Sequence, residues 1–396
     1  MRNLLNEKLV SLVIAFPFFW SFSGLFIYND AKKEFTLFSG IALVVFLLFS
    51  NKIQLKKLLL ENKFFIVIFI NAIFAIFAYS YYGYSSNRFR ALITLLFIVA
   101  IIPKEIYERI ELKWLMLFLS SFFVIYAIKL YAQGNLFNRS WDINPIHYAT
   151  VCAVVLSISF YKLLTEKKNN DRVVYLLIFA ISASVLLLSD SRGPWIAAFS
   201  GVILSLIMIL VSSSNNGKAK LAVLAIALMG LTGFVFKDHI SKRISTSIIE
   251  LQRIESGDLN SSVGLRLQMW KAGWLIFRDY PVLGAGEEIV DIKKEFLSSG
   301  IITNPRVATY THFHNQFIND AAKYGLVGLF ILLFSLLFVV YLSKDNKYRN
   351  IIFLVLLVYI VCSLTDVPFR NAHPLIFYYM LINFLLVKGS KKSVGS

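Results

Sequence analysis

The sequence predicts an all-α polytopic membrane protein, and three observations carry that reading. Hydrophobic residues make up 58% of the 396-residue chain and charged residues only 16%, whereas soluble domains carry about 25% charged residues. Apolar runs recur at lengths near the roughly 20 residues that span a hydrocarbon core. Lys and Arg cluster unevenly between those runs, as the positive-inside rule leads one to expect.

Taken in order, the runs place about twelve spans, near 9–28, 35–50, 64–81, 89–103, 112–130, 145–161, 173–189, 193–211, 219–236, 325–342, 351–366 and 373–387. The first has a basic start and no small-residue cleavage site behind it, so it reads as a retained span. With the N-terminus inside, the seven inside segments hold 21 of the 40 Lys and Arg, five short outside loops hold 8, and one long outside loop holds 11. Both termini are therefore expected in the cytoplasm. The net charge of +17 becomes a topology signal, and nucleic acid is not expected as a partner. Cys152 and Cys362 lie in separate apolar runs and read as buried thiols.

This divides the chain into nine spans over 1–236, a long outer loop over 237–324, and three spans with a tail over 325–396. Within the loop, Ile240, Ile244, Ile248, Leu251 and Ile254 recur at helical spacing, and so do Leu267, Trp270, Trp274 and Phe277. These helices either pack on a core of the loop's own or set Trp270 and Trp274 at the membrane interface, where aromatic rings are enriched. The stretch DYPVLGAGEE then breaks the second helix.

The span interiors hold almost no ionisable residue, which argues against an ion-coupled pump. Polar chemistry gathers instead on the outer side: Arg88, Arg90, Arg139, Arg192, Arg266, His312, His314, Asp366 and Arg370. Arg192, in the short turn SDSRGP, opposes the positive-inside trend. Either it snorkels to headgroups, or its fork of donors clamps phosphate oxygens. Gly193 and Pro194 would fix that turn and admit a large ligand.

His312 and His314 lie two residues apart in THFHNQ. Such a pair suits metal ligation or acid/base work. No Cys or clustered carboxylate completes a zinc set in the sequence, and Asp320 is a poor third ligand. An imidazole titrating near neutrality can take a proton from a sugar hydroxyl. Gly325 and Gly328 would let the next helix begin close against a neighbour.

HNQFINDAAKYGLVG fits the pattern H-[NSQ]-x9-G-x-x-G and so resembles the O-antigen ligase family of WaaL-type enzymes. The DSRGP turn, GLRLQMW and SLTDVPFR add to the likeness, whose specific motifs lie between Ser189 and Arg370. The resemblance implies transfer of O-antigen polysaccharide from undecaprenyl pyrophosphate to a sugar hydroxyl of lipid A–core. The work would be done on the periplasmic face of the bacterial inner membrane, without cofactor or essential metal. It assigns His314 as the base and Arg192 and Arg266 as the pyrophosphate clamp. His312, Asn315, Arg88, Arg139, Asp366 and Arg370 are expected to help bind donor or acceptor. Use of one base without an enzyme nucleophile implies inversion at the anomeric carbon. The alternatives are an O-antigen polymerase using the same donor, a protein-glycosylating ligase and, from a different class, a lipid-linked sugar flippase.

Overall fold

The computed structural model of the chain describes residues 2–49, 62–83, 86–211 and 237–390, with isolated positions between 223 and 234. Every regular element among the described residues is helical. In chain order the helices are α1 (Arg2–Trp20), α2 (Ala31–Phe49), α3 (Phe64–Tyr82), α4 (Ser86–Ile101), α5 (Lys104–Arg109), α6 (Leu112–Ala132), α7 (Pro145–Thr165), α8 (Asn169–Leu188) and α9 (Arg192–Val211). After them come α10 (Lys237–Glu255), α11 (Ser262–Asp279), α12 (Ile289–Ser298), α13 (Pro305–Thr309), α14 (Gln316–Leu342), α15 (Arg349–Ser363) and α16 (Ala372–Gly389).

The chain is an integral membrane protein. Among the described residues, eight helical segments are long and apolar enough to cross a bilayer, and α15 is a shorter apolar helix. Two expected spans fall short of that standard for visible reasons. The first turn of α2 carries Lys32, Lys33 and Glu34. The 16 residues of α4 reach only about 24 Å. The expected span 219–236 lies mostly outside the described residues.

Helices α7 and α16 form the centre of the bundle, with 83% and 89% of their spanning windows buried. Both are apolar all round, which is the pattern of a helix enclosed by others. By contrast α14 is largely peripheral and presents Leu326, Phe330, Leu333 and Leu337 outward, as a lipid-facing helix must. At its start α7 is pinned by the Asn144 side chain, which accepts from Ile146 N, with Pro145 in the first turn. Pro suits that position because its missing N–H has no helical partner to lose.

The segment 237–315 builds a smaller core from Met269, Ala272, Ile276, Ile289, Val307 and Phe313, among others. Both expected amphipathic helices are present, as α10 and α11. The two readings of the tryptophans divide between them: Trp270 packs on the small core, while Trp274 is 62% exposed.

One expected boundary moves. The span expected at 325–342 is the second part of α14, which starts nine residues earlier at Gln316. Asn315 makes that start, its side chain accepting from Phe317 N and Ile318 N. Gly325 breaks the helix with φ 63° and ψ −154°, a conformation that is costly for any residue with a Cβ. The loop 280–285 fills the break: Leu326 N donates to Pro281 O at 2.8 Å and Ala285 N to Ala322 O at 2.9 Å. Gly325 thus does admit a close neighbour, the backbone of Val282. Gly328 does not; it gives room to Tyr324 of its own helix.

Candidate active site

The ends of α6, α7, α8, α9, α14, α15 and α16 bring most of the sequence-marked residues together beneath the segment 237–315. Three residues other than glycine have positive φ among the described residues: Arg139 at 60°, Asp190 at 54° and His314 at 47°. All three belong to this region. Each such residue costs on the order of 1–2 kcal/mol, so the surrounding contacts must hold it.

His314 sits in the turn that precedes α14. Its Nδ1 lies 3.2 Å from Asp366 Oδ1, in the turn between α15 and α16. The other oxygen, Oδ2, lies 3.4 Å from His147 Nε2 near the start of α7. One carboxylate therefore serves two imidazoles. Burial opposes the ionisation of Asp366, but the hydrogen bonds from His147 and His314 outweigh it and hold the carboxyl well below its ordinary range. An ionised Asp366 favours the tautomer with the proton on Nδ1 of His314, which leaves Nε2 with a free lone pair.

His312 lies against His314, ring centroids 4.2 Å apart. Burial first, then His314 and Arg370, lower its pKa to about 3, so it is neutral at physiological pH. Tyr310 closes the other side of both rings, with centroids at 6.0 and 5.6 Å. The turn itself is stapled by Lys293, a fully buried residue of α12. Its Nζ donates to Val307 O at 3.0 Å and to Tyr310 O. Burial, with a smaller contribution from Lys323, lowers the Lys293 pKa to about 7.

The arginines form a second group. Arg192 opens α9 and holds Glu250 of α10 through two bonds of 2.9 Å, Nη1 to Oε2 and Nη2 to Oε1. Arg243, two turns before Glu250 on α10, binds the Asp190 carboxylate and carbonyl. Arg266 of α11 makes no hydrogen bond or ion pair with the described residues. Desolvation lowers its pKa, and it lies within electrostatic reach of Asp366, Arg192, Glu250 and Tyr310. Arg139 at the rim likewise has no such partner among the described residues. Desolvation, then repulsion from Arg243, Arg266 and Arg192, lowers its pKa, with Asp190 opposing. Guanidinium stays charged through such shifts, so two cations without a bonded partner among the described residues stand beside two paired ones.

The remaining marked residues divide. Arg370 donates to Thr311 Oγ1 at 3.0 Å, behind the histidine turn. Asn315 is a helix cap that also donates to Leu364 O at 3.2 Å, a positioning task. Arg88 lies elsewhere, its guanidinium 5.7 Å from the Tyr324 ring and close to buried Asp320. The expectation that Gly193 makes room for a ligand is corrected: a Cβ there would overlap Thr365 Oγ1. The missing side chain lets the Arg192 and Asp366 elements close on each other.

A carboxylate does complete a metal-capable set, contrary to the sequence reading. His312, His314 and Asp366 each offer a ligand atom, all within 4.8 Å of one another. Ligation through the His314 Nδ1 edge would cost its hydrogen bond to Asp366, whose other oxygen faces His147. Asp320, the third ligand weighed from sequence, instead accepts from Gln316 and Asn319 within α14.

Residues 177–333 match the family model described as O-antigen ligase. Over this segment the chain is similar to the O-antigen ligase family. The segment contains Arg192, Arg243, Glu250, Arg266, His312 and His314, while Arg139, His147 and Asp366 lie beyond it. An uncharacterised protein of Haemophilus influenzae is 27% identical over 206 residues, 50% of this chain and 50% of that protein. An O-antigen ligase of Escherichia coli is 21% identical over 244 residues, 60% of this chain and 57% of that protein. The matched stretches thus span only half to three-fifths of each relative.

Sequence reasoning missed His147, Asp190, Arg243 and Glu250. Arg243 and Glu250 are seven residues apart on α10 and so share a face, which is the one signal the sequence offered. His147 was visible only as a histidine at a span end.

Proposed function

We propose that the protein is an O-antigen ligase, transferring O-antigen polysaccharide from undecaprenyl pyrophosphate to a sugar hydroxyl of lipid A–core. The observation that supports this most strongly is the pair of guanidiniums, Arg266 and Arg139, that make no hydrogen bond or ion pair with the described residues, beside a histidine whose free nitrogen is set by a carboxylate. Arg266 and Arg139, with Arg192 at their side, neutralise the pyrophosphate and the charge that grows on it as it leaves. Preorganised charge of this kind is usually the largest catalytic contribution. His314 Nε2 takes the proton from the acceptor hydroxyl as that oxygen attacks the anomeric carbon. Asp366 stabilises the imidazolium that forms. Direct attack with one base and no enzyme nucleophile inverts the anomeric configuration. Because arginines carry the phosphate charge, the transfer needs no metal.

In this reading the site faces the periplasm from the inner membrane and both termini are cytoplasmic, as the Lys and Arg distribution supports. The test is deletion of the gene in a strain that makes O antigen, with lipopolysaccharide resolved by gel and a His314→Ala complementation. Bare lipid A–core with accumulating lipid-linked polymer is the expected result. Core bearing a single O unit would assign a polymerase instead, and lipid-linked units stranded in the cytoplasm would assign a flippase.

A further inference from the structure

A cavity of about 500 Å³ lies beside the histidine group, lined by His147 and Arg370 among others. His147 lines it, with its Nε2 3.4 Å from Asp366 Oδ2. Its other walls include Lys32, Arg370, His373, Trp141, Asp142 and four asparagines. Two fixed cations thus face one carboxylate, and that carboxylate is already engaged by Lys129 at 2.6 Å. The first turns of α7 and α16 supply Pro145, His147, Ala372 and His373 to the wall, so two helix N-termini add positive potential.

Two polar groups here lack the partner that buried groups ordinarily have. His373 is 4% exposed, and its Nε2 has no hydrogen-bond partner among the described residues. Arg370 Nε is likewise buried without one, although its Nη2 holds Thr311. An acceptor oxygen would satisfy Arg370 Nε, whereas an imidazole whose Nδ1 donates to Tyr28 O presents a bare Nε2 that suits a hydroxyl. Asparagine amides both donate and accept, as sugar hydroxyls require, and Trp141 adds an apolar wall.

We propose that this cavity binds a phosphorylated sugar, the phosphate meeting Lys32 and Arg370 and the hydroxyls meeting His373 and the asparagines. Its position behind the histidine turn makes it the seat of the acceptor's phosphorylated saccharide. That last assignment rests on the ligase reading, whereas binding of the phosphorylated sugar does not. Bound there, the ligand touches Arg370 and His147, both of which hold the elements that position His314.

The test uses the full chain in lipid nanodiscs and glucose 6-phosphate as probe, read by saturation-transfer NMR with inorganic phosphate as competitor. Glucose 6-phosphate should bind, glucose should bind more weakly, and phosphate should compete. Lys32→Gln should weaken binding about tenfold, the loss of one charge-assisted bond, with thermal melting confirming the folded state. His314→Ala should leave binding unchanged. Equal binding by wild type and Lys32→Gln, no binding by wild type, or loss in His314→Ala would overturn the proposal. In a reconstituted transfer reaction, Lys32→Gln should raise the KM for acceptor and leave that for donor unchanged. If wild type binds glucose 6-phosphate yet transfers nothing, the ligase reading fails and the sugar-phosphate site stands.

Discussion

The arginine group and the histidine group lie within electrostatic reach of each other through Arg266 and Asp366, yet they balance charge in opposite ways. Among the arginines, Glu250 holds Arg192 and Asp190 holds Arg243, and Arg139 and Arg266 make no hydrogen bond or ion pair with the described residues. Among the histidines, a single carboxylate serves His314 and His147, and His312 stays neutral. The arginine side is built with an excess charge for an anion to complete. The histidine side is built with its proton inventory fixed. The difference also separates Arg192 from Arg266, which the sequence motif treats alike: Arg192 ties α9 to α10, whereas Arg266 is uncommitted.

The largest expected effect follows from that separation. Arg266→Ala should lower the transfer rate by about 10²–10³, the usual cost of removing one preorganised donor to a developing anion, with little change in melting temperature. A reconstituted transfer assay and a thermal melt check both halves of that statement. Next comes the joint between the groups. Gly193→Ala forces a methyl onto Thr365 and should cost about 1–3 kcal/mol of stability, with a fall in transfer, because Arg192 and Asp366 move apart. A smaller effect is expected from Glu250→Gln, which loosens Arg192 without discharging it. The rate should drop by about tenfold, in keeping with the loss of one charged hydrogen-bond partner. An unchanged rate and melting temperature would show that the ion pair is idle.

A separate effect is one of pH. His312 has a pKa of about 3 in the folded protein against an ordinary 6.5. Between those values the unfolded chain binds the extra proton, so stability falls as pH falls through that window. The slope from this group is below about 1.4 kcal/mol per pH unit. His312→Gln should flatten it, as measured by melting temperature between pH 7 and pH 4.

Much of the bundle was legible because membrane helices announce themselves through long apolar runs, and 145–161 and 373–387 coincide closely with α7 and α16. The expected spans in α2, whose first turn is charged, and in the short α4 fall below the length and apolarity of the other eight. The start of α14 was hidden because Asn319, Asp320 and Lys323 read as loop, whereas they are buried in the helix. His314, Arg192 and Arg266 were legible from local motifs. Their partners were not, because the ion pairs Arg192–Glu250 and Arg243–Asp190 join residues more than 50 positions apart. The metal question also turned on distance in sequence, since Asp366 reaches the histidines only through folding.

The most direct measurement separates donor binding from transfer in nanodiscs loaded with undecaprenyl-pyrophosphate-linked O antigen. If the arginines hold the donor and His314 acts only on the acceptor proton, His314→Ala binds donor as wild type does but transfers about 10²–10⁴ times more slowly. Arg266→Ala loses donor affinity as well, and added chelator changes neither variant nor wild type. Equal loss of donor affinity in both variants, or transfer that depends on a divalent cation, would contradict the division of labour between the two groups.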